Sequence, residues 1–255
     1  MNSSTSADTA PTRDALLAGK VTLWQPAQGY RAAIDPVLLA ASVEPKAGAR
    51  ALDLGCGVGA IALCLLARCP DMSVLGLELN PELVALARRN AIENGIADRL
   101  EIHQGNVAAP PVEIKESGFD LVVTNPPFLE AGTASASADQ GRRMANIEGE
   151  ADLQTWIDAA ARALKPKGGL ATIHRADRID DIIVALRRDF GEIVLRPLWP
   201  KPGRTAKRVI IRARKGVSSP ARVEAGTVLH RDDGGYSDAA AAVLAGGCLG
   251  SRNSL

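Results

Sequence analysis

At 255 residues, 46% of them hydrophobic and with a formal net charge of +1, the chain can bury one large core and carries no global field that would select nucleic acid. Its four cysteines (Cys56, Cys64, Cys69, Cys248) form no CxxC pair and have no His cluster beside them, so neither a disulfide frame nor a metal site is expected, and a reducing cytoplasm fits. No run approaches the roughly 18 apolar residues of a membrane span, and the polar, Ser/Thr-rich residues 1–15 read as a loose tail and not a signal peptide.

In chain order, residues 21–24 read as a short strand, Gln25-Pro26 and Gly29 as a turn, and 34–41 as a helix. From residue 50 the pattern alternates. Strands are predicted over 50–54, 73–79, 100–103, 119–124, 170–174, 192–198 and 208–212, and helices over 60–68, 82–94, 152–164 and 177–188. Pro81 opens the second of these helices, Leu83, Leu86, Ala87 and Ala91 share one face, and Gly95 ends it. Pro166-Lys167-Gly168-Gly169 marks a turn after the third. The strands are apolar on both faces, as when helices cover both sides of a sheet. The expected fold is therefore α/β: a Rossmann-like, doubly wound, seven-stranded and mostly parallel sheet with an antiparallel last strand. Pro200, Pro202 and Gly203 leave room only for a short turn between the last two strands, which should pair antiparallel at the sheet edge. Residues 16–216 form this domain. Residues 217–255, with an Ala-rich stretch at 239–245, read as an extension packed upon it.

Asp53-Leu54-Gly55-Cys56-Gly57-Val58-Gly59-Ala60 follows the first core strand and opens a helix. Gly55, Gly57 and Ala60 satisfy the dinucleotide fingerprint G-x-G-x-x-A, so a nicotinamide or flavin oxidoreductase is one reading and a purely structural turn another. Three neighbours favour a third. Asp53 at the strand end suits a cationic amine better than a pyrophosphate. Glu78, ending the next strand, can accept both hydroxyls of a ribose. Asn106, ending the third, can approach an adenine edge or simply make a turn. S-adenosylmethionine presents an amine, a carboxylate, a ribose and an adenine, and the loop amides at the helix start suit its carboxylate. Asp53, Gly55, Gly57, Gly59, Glu78 and Asn106 are thus candidate cofactor residues, with Cys56 read as packing.

Asn125-Pro126-Pro127-Phe128 follows the apolar strand 119–124. Neither proline can extend a ladder, so the chain must leave the sheet as a rigid lip offering an amide, proline carbonyls and an aromatic face. Such a set suits methyl transfer to a planar NH2 group. Asn125 Oδ1 and the Pro126 carbonyl can accept both amino hydrogens, aligning a nitrogen whose lone pair is delocalised into its ring, while Phe128 stacks on the base. No strong general base is needed, because the product ammonium is acidic. Asn125, Pro126 and Phe128 are the candidate catalytic residues, with Pro127 beside the substrate. The long Gly/Ser/Ala-rich segment 129–148 that follows is expected to be functional.

The series DLGCGVG, LELN, QGN and NPPF, in that order and spacing, resembles the class I S-adenosylmethionine-dependent methyltransferases. Within them it is similar to the bacterial adenine-N6 methyltransferases that modify valine tRNA beside the anticodon. Gln25-Pro26 with Gly29-Tyr30-Arg31, Ile34-Asp35 through Leu38-Leu39, Glu148-Gly149-Glu150 through Trp156-Ile157, Ile173-His174-Arg175 and residues 202–208 support that narrower likeness, which covers about residues 16–245. The resemblance implies S-adenosylmethionine as cofactor, adenine N6 in tRNA as target, and Arg31 and Asp35 as further cofactor residues. Phe128 departs from the Tyr common in adenine-N6 enzymes. Phe also occurs in guanine-N2 RNA methyltransferases, where His follows; here Leu129 follows. Protein-glutamine methyltransferases with a similar lip carry an N-terminal helical domain, for which residues 1–20 leave no room. An inactive RNA-binding module would have no use for an intact Asn125.

Between Lys201 and Lys215 stand seven basic residues and no acid. Arg204, Lys207 and Arg208 are the candidate RNA contacts, with Lys201, Arg212, Arg214 and Lys215 on the same hairpin. Charged edge strands that resist aggregation give the competing explanation. Arg142-Arg143 and Trp199 are possible additions to this track. His174 reads as a satisfied strand-end histidine, and His103 and His230 carry no signal.

Overall fold

The computed structural model describes residues 10–28, 31–116, 118–127 and 152–249. An antiparallel hairpin comes first, β1 (Thr12–Leu16) against β2 (Val21–Gln25). Residues 12–15, assigned by composition to the loose tail, are therefore part of a strand. Only Leu16 of β1 is a large apolar residue, so pairing with β2 and not local propensity makes it a strand. The hairpin turns through Leu17 and Ala18, both left-handed at φ 51° and 54°, and the burial of Leu17 helps to hold that unfavourable backbone.

The core then alternates α1 (Asp35–Ala41), β3 (Arg50–Leu54), α2 (Ala60–Arg68), β4 (Ser73–Glu78), α3 (Pro81–Glu93), β5 (Leu100–Gln104), α4 (Val112–Glu116) and β6 (Phe119–Thr124). It continues with α5 (Leu153–Ala163), β7 (Leu164–Arg175), α6 (Ile179–Leu186), β8 (Phe190–Trp199) and β9 (Arg208–Lys215). Helix starts carry their own capping chemistry. The Asn80 side chain accepts from the Glu82 amide ahead of Pro81, and Asp152 accepts from the Thr155 amide. Each such cap is worth about 1 kcal/mol.

The sheet order is β10-β8-β9-β7-β6-β3-β4-β5, where β10 is Arg222–Val223, and β11 (Thr227–Val228) also pairs with β8. β3, β4, β5, β6 and β7 run parallel, and β9 is antiparallel to both β7 and β8. The predicted antiparallel pair exists, but β9 is threaded inside β8 and is not itself the rim. Its Val209, Ile210, Ile211 and Ala213 are all buried, which is what a strand flanked on both sides requires. Two short strands, β10 and β11, extend the seven expected ones. The predicted turn at 166–169 is instead a bulge within β7, with Lys167 at φ 63° and a register shift against β6.

One apolar layer joins α1, α2 and α3 to the sheet through Ala51, Leu121, Val123, Ala171 and Ile173. The other joins α4, α5 and α6 through Leu52, Leu54, Val122, Leu170 and Ile211. α7 (Asp238–Leu244) returns to the first layer with Ala240 and Val243. There the Arg68 guanidinium donates to the carbonyls of Val243, Gly246 and Gly247, and the Leu249 amide donates to the Ala41 carbonyl. Among the described residues, no helix is long and apolar enough to cross a membrane, and no cluster of His, Cys, Asp and Glu could hold a metal ion.

Candidate active site

Strand order reverses between β3 and β6, and the carboxyl ends of those two strands open the crevice where open α/β sheets bind ligands. The glycine loop leaves β3 there and the Asn-Pro-Pro lip leaves β6 beside it. A hydrogen bond of 2.9 Å from Thr124 Oγ1 to the Leu54 carbonyl ties the two exits together.

The loop is built by glycines in the left-handed region: Gly55 at φ 66°, Gly57 at 55° and Gly59 at 84°, the last forming the N-cap of α2. Gly55 is doubly constrained, since a Cβ there would lie 2.4 Å from Trp156 Cη2. The Trp156 indole, from α5, is thus packed directly on the loop. The Gly55 and Cys56 amides donate to the Leu77 carbonyl at 2.8 and 3.0 Å. Cys56 is buried and its thiol pKa is pushed up by burial, then by the neighbouring Asp53 and Glu78 charges, so it is unreactive packing.

Asp53 is 0% exposed, and no described group meets either carboxylate oxygen at full hydrogen-bond geometry. Burial raises its pKa to about 8, the Ala62 amide in the first turn of α2 offsets part of this, and the Glu78 charge adds to it. A buried carboxylate left so poorly compensated is suited to a cationic ligand. Glu78, also buried, already accepts from Gly57 N and Asn80 N, each at 2.8 Å, and so braces the loop from below. Asn106 is exposed. Its Oδ1 accepts from the Ala108 amide at 2.8 Å and its carbonyl from the Ala109 amide, the turn role that its sequence position also allowed.

Arg31 donates to Asp14 Oδ2 at 2.6 Å, to Thr12 Oγ1 and to the Pro26 carbonyl. Asp35 pairs with Arg208 at 3.3 Å; burial raises the Asp35 pKa and Arg208 lowers it. These two candidates are thus engaged with the hairpin and with β9, linking both to the rim of the crevice. Asn125 is half-buried, Pro126 buried and Pro127 half-buried at the end of β6. Phe128, Arg142, Arg143, the segment 129–148, Gly29 and Tyr30 lie outside the described residues.

The basic run divides in two. Lys201, Arg204, Lys207 and Arg208 stand at the carboxyl end of the sheet, on the lip's side, where Arg208 is opposite Arg175. Arg204 and Lys207 are exposed and make no ion pair among the described residues. Arg212, Arg214 and Lys215 lie at the far end and serve the fold, bonded to Glu224 and the Ser42 carbonyl, to Glu192 and the Lys167 carbonyl, and to the Leu164 carbonyl. His174 is buried at the end of β7. Burial, with the charges of Arg178, Arg175 and Arg208, lowers its pKa to about 4, so its ring is neutral near pH 7.

Sequence reasoning missed Asn90 and Asn94. Asn90 Oδ1 accepts from Trp24 N, and its Nδ2 donates to the carbonyls of Trp24 and Val58. Asn94 brackets Thr22 in the same way, so two side-chain amides replace a neighbouring strand for β2 and anchor it to the loop. The signal was available, because Asn90 falls on the stripe of Leu83, Leu86 and Ala87, where an apolar residue would be expected.

A family profile described as methyltransferase small domain matches residues 33–195. The chain belongs to this family. A tRNA1(Val) (adenine(37)-N6)-methyltransferase of Porphyromonas gingivalis is 37% identical over 158 residues, 60% of this chain and 61% of that protein. A relative of the same description in Aeromonas hydrophila is 29% identical over 206 residues, 80% of this chain and 84% of that protein. The match thus spans 61% of the length of the Porphyromonas protein. The crystal structure of a predicted O-methyltransferase from Agrobacterium tumefaciens superposes with a TM-score of 0.70 at 25% identity, covering 86% of this methyltransferase small domain chain and 99% of that one.

Proposed function

We propose that this methyltransferase small domain protein transfers a methyl group from S-adenosylmethionine to the exocyclic N6 of adenine in tRNA, in the cytoplasm. The observation that carries the reading is the meeting, at the strand-order reversal, of a glycine loop over a buried, poorly compensated Asp53 and a lip opening on Asn125-Pro126-Pro127. The tRNA assignment is supported by the described activity of the relatives and by the cations on the lip's side of the sheet.

S-adenosylmethionine, when bound, supplies a methyl group on a positively charged sulfonium. Asp53 and the loop shaped by Gly55, Gly57 and Gly59 would hold its amino-acid end, Glu78 its ribose hydroxyls and the Asn106 amide its adenine. Arg31 and Asp35 would close the pocket from the hairpin side. Asn125 Oδ1 and the Pro126 carbonyl accept the two N6 hydrogens. This orients the nitrogen and stabilises the positive charge that grows on it. Phe128 and Pro127 pack on the faces of the adenine. Arg204, Lys207 and Arg208 hold the RNA backbone. The departing N6 proton leaves to solvent, so no strong base is required of the chain.

The test is transfer of radiolabelled methyl to tRNA lacking N6-methyladenosine, followed by nucleoside analysis. Label in N6-methyladenosine supports the reading. Binding of S-adenosylmethionine with no label in tRNA would overturn the substrate and move the search to ribosomal RNA or protein amides.

A further inference from the structure

Residues 227–237 belong to neither the glycine loop nor the lip, and they lie beyond the 33–195 span of the family profile. They form a tight structure clamped to the end of β8. β11 pairs with Leu198 and Trp199, the Leu229 amide donates to the Trp199 carbonyl, and the His230 amide donates to the Pro200 carbonyl. Lys201 Nζ donates to the Asp232 carbonyl at 3.1 Å. The turn closes through an isolated bridge between His230 and Tyr236, whose rings stack with centroids 5.1 Å apart and planes 27° from parallel. Ser237 Oγ fixes the far end on the Val228 carbonyl at 2.6 Å.

This arrangement leaves Tyr236 40% exposed on a rigid mount. The chain has only three Phe, three Trp and two Tyr, so an aromatic ring held at the surface is a costly use of a scarce residue type. Core packing does not account for it. Tyr236 also lines a groove of about 690 Å³ with apolar walls from Leu16, Leu17 and Leu244 and polar groups from Gln25 and Arg31. The adjoining turn carries Lys201, Arg204 and Lys207 at the lip's end of the sheet, where β8 finishes alongside β9 at Arg208. Of the nearby acids, Asp233 is held by Arg231 and Asp14 by Arg31, leaving Asp232 and Asp238 against those three cations.

We infer that residues 227–237 and the β8–β9 turn form the surface that grips the single-stranded RNA flanking the target adenine. Tyr236, backed by His230, stacks on an unpaired base at the groove mouth, while Lys201, Arg204 and Lys207 meet the adjoining phosphates. The chemistry is that of other single-strand binders: a cationic track for the backbone and an aromatic platform for a base, needing no hydrogen-bond readout. The inference rests on the tRNA reading above and specifies where the RNA lies.

The experiment compares the intact protein with its Tyr236→Phe and Tyr236→Leu variants for affinity to unmodified tRNA, with affinity for S-adenosylmethionine as control. The expected result is about a tenfold loss of tRNA affinity for Tyr236→Leu and near-native affinity for Tyr236→Phe, cofactor affinity being unchanged in both. Arg204→Gln with Lys207→Gln should lower the slope of log affinity against log salt by about 1.5. Photo-crosslinking of thiouridine-substituted tRNA to the unaltered protein gives a readout independent of any variant's folding. Crosslinks within residues 227–237 support the surface. Native tRNA affinity in Tyr236→Leu, or crosslinks confined to other segments, overturns it. Crosslinks at 227–237 without N6-methyladenosine would leave the surface standing and remove only the assigned reaction.

Discussion

At the scale of single residues, the proposed mechanism gives chemistry to one side chain at the crevice and binding to another. In the proposed mechanism Asn125 acts on the amino group, so Asn125→Ala should lower kcat by about 100- to 1,000-fold while changing S-adenosylmethionine affinity by less than about twofold, measured by methyl transfer and calorimetry. Asp53, proposed to meet the cofactor's amine, leaves a pH signature. Its folded pKa of about 8 lies above the ordinary aspartate value of 3.8, so the folded state holds the proton longer. Its contribution to stability is therefore complete below about pH 4 and is lost as pH rises through about 8. The melting temperature of the ligand-free protein should fall as pH rises from about 4 to about 8 and level off above that, and Asp53→Asn should flatten that fall. Near pH 7 the carboxyl is mostly protonated, so binding a cationic amine should release up to one proton. Calorimetry in buffers of different ionisation enthalpy reads this directly, and equal heats in all buffers would refute it.

At the scale of elements, the hairpin and the sheet rim are held by polar groups doing the work of strands. Glu224, beside β10, pairs with Arg196 of β8 at 2.6 Å and Arg212 of β9 at 2.7 Å, with all three side chains largely buried. Glu224→Ala would leave two guanidinium groups facing each other without compensation. It should reduce the unfolding free energy by about 3 kcal/mol, seen as a lower denaturant midpoint, with methyl transfer intact at low temperature. Such contacts explain what could be read in the sequence. The glycine loop, the lip and the seven core strands announce themselves because each depends on local chemistry: left-handed glycines, prolines that end a ladder, apolar runs. β1, β10 and β11 do not, since two or five mixed residues become strands only when a neighbour supplies the hydrogen bonds. Asn90 was likewise masked by its place on an apolar stripe, and its demand for polar partners emerges only when β2 is laid against it.

At the scale of the molecule, the sheet separates two tasks by its two ends. The amino end of β7, with the adjacent ends of β8 and β9, spends its cations on carbonyls and carboxylates of the chain itself. The opposite end keeps Arg204 and Lys207 without ion-pair partners among the described residues. One stretch of sequence, 201–215, supplies both sets, which is why its charge alone could not separate RNA contact from protection of an edge. The place of β9 in the sheet divides the run, by sending its two ends to opposite ends of the sheet. Arg212→Gln should accordingly cost stability and leave tRNA affinity near native, the reverse of the expectation for Arg204 and Lys207; loss of tRNA affinity at unchanged stability would contradict this division.

The threading of β9 between β7 and β8 also sets an order of events during synthesis. β8 is made before β9 yet has no place beside β7, since its neighbour on that side is β9 itself. Until residue 215 is available, β7 presents an open edge and β8 waits unpaired, a state in which exposed strands invite association with other chains. The nascent protein therefore passes its greatest aggregation hazard late, after almost all of its apolar core has been made, and completion of the sheet closes that window in one step.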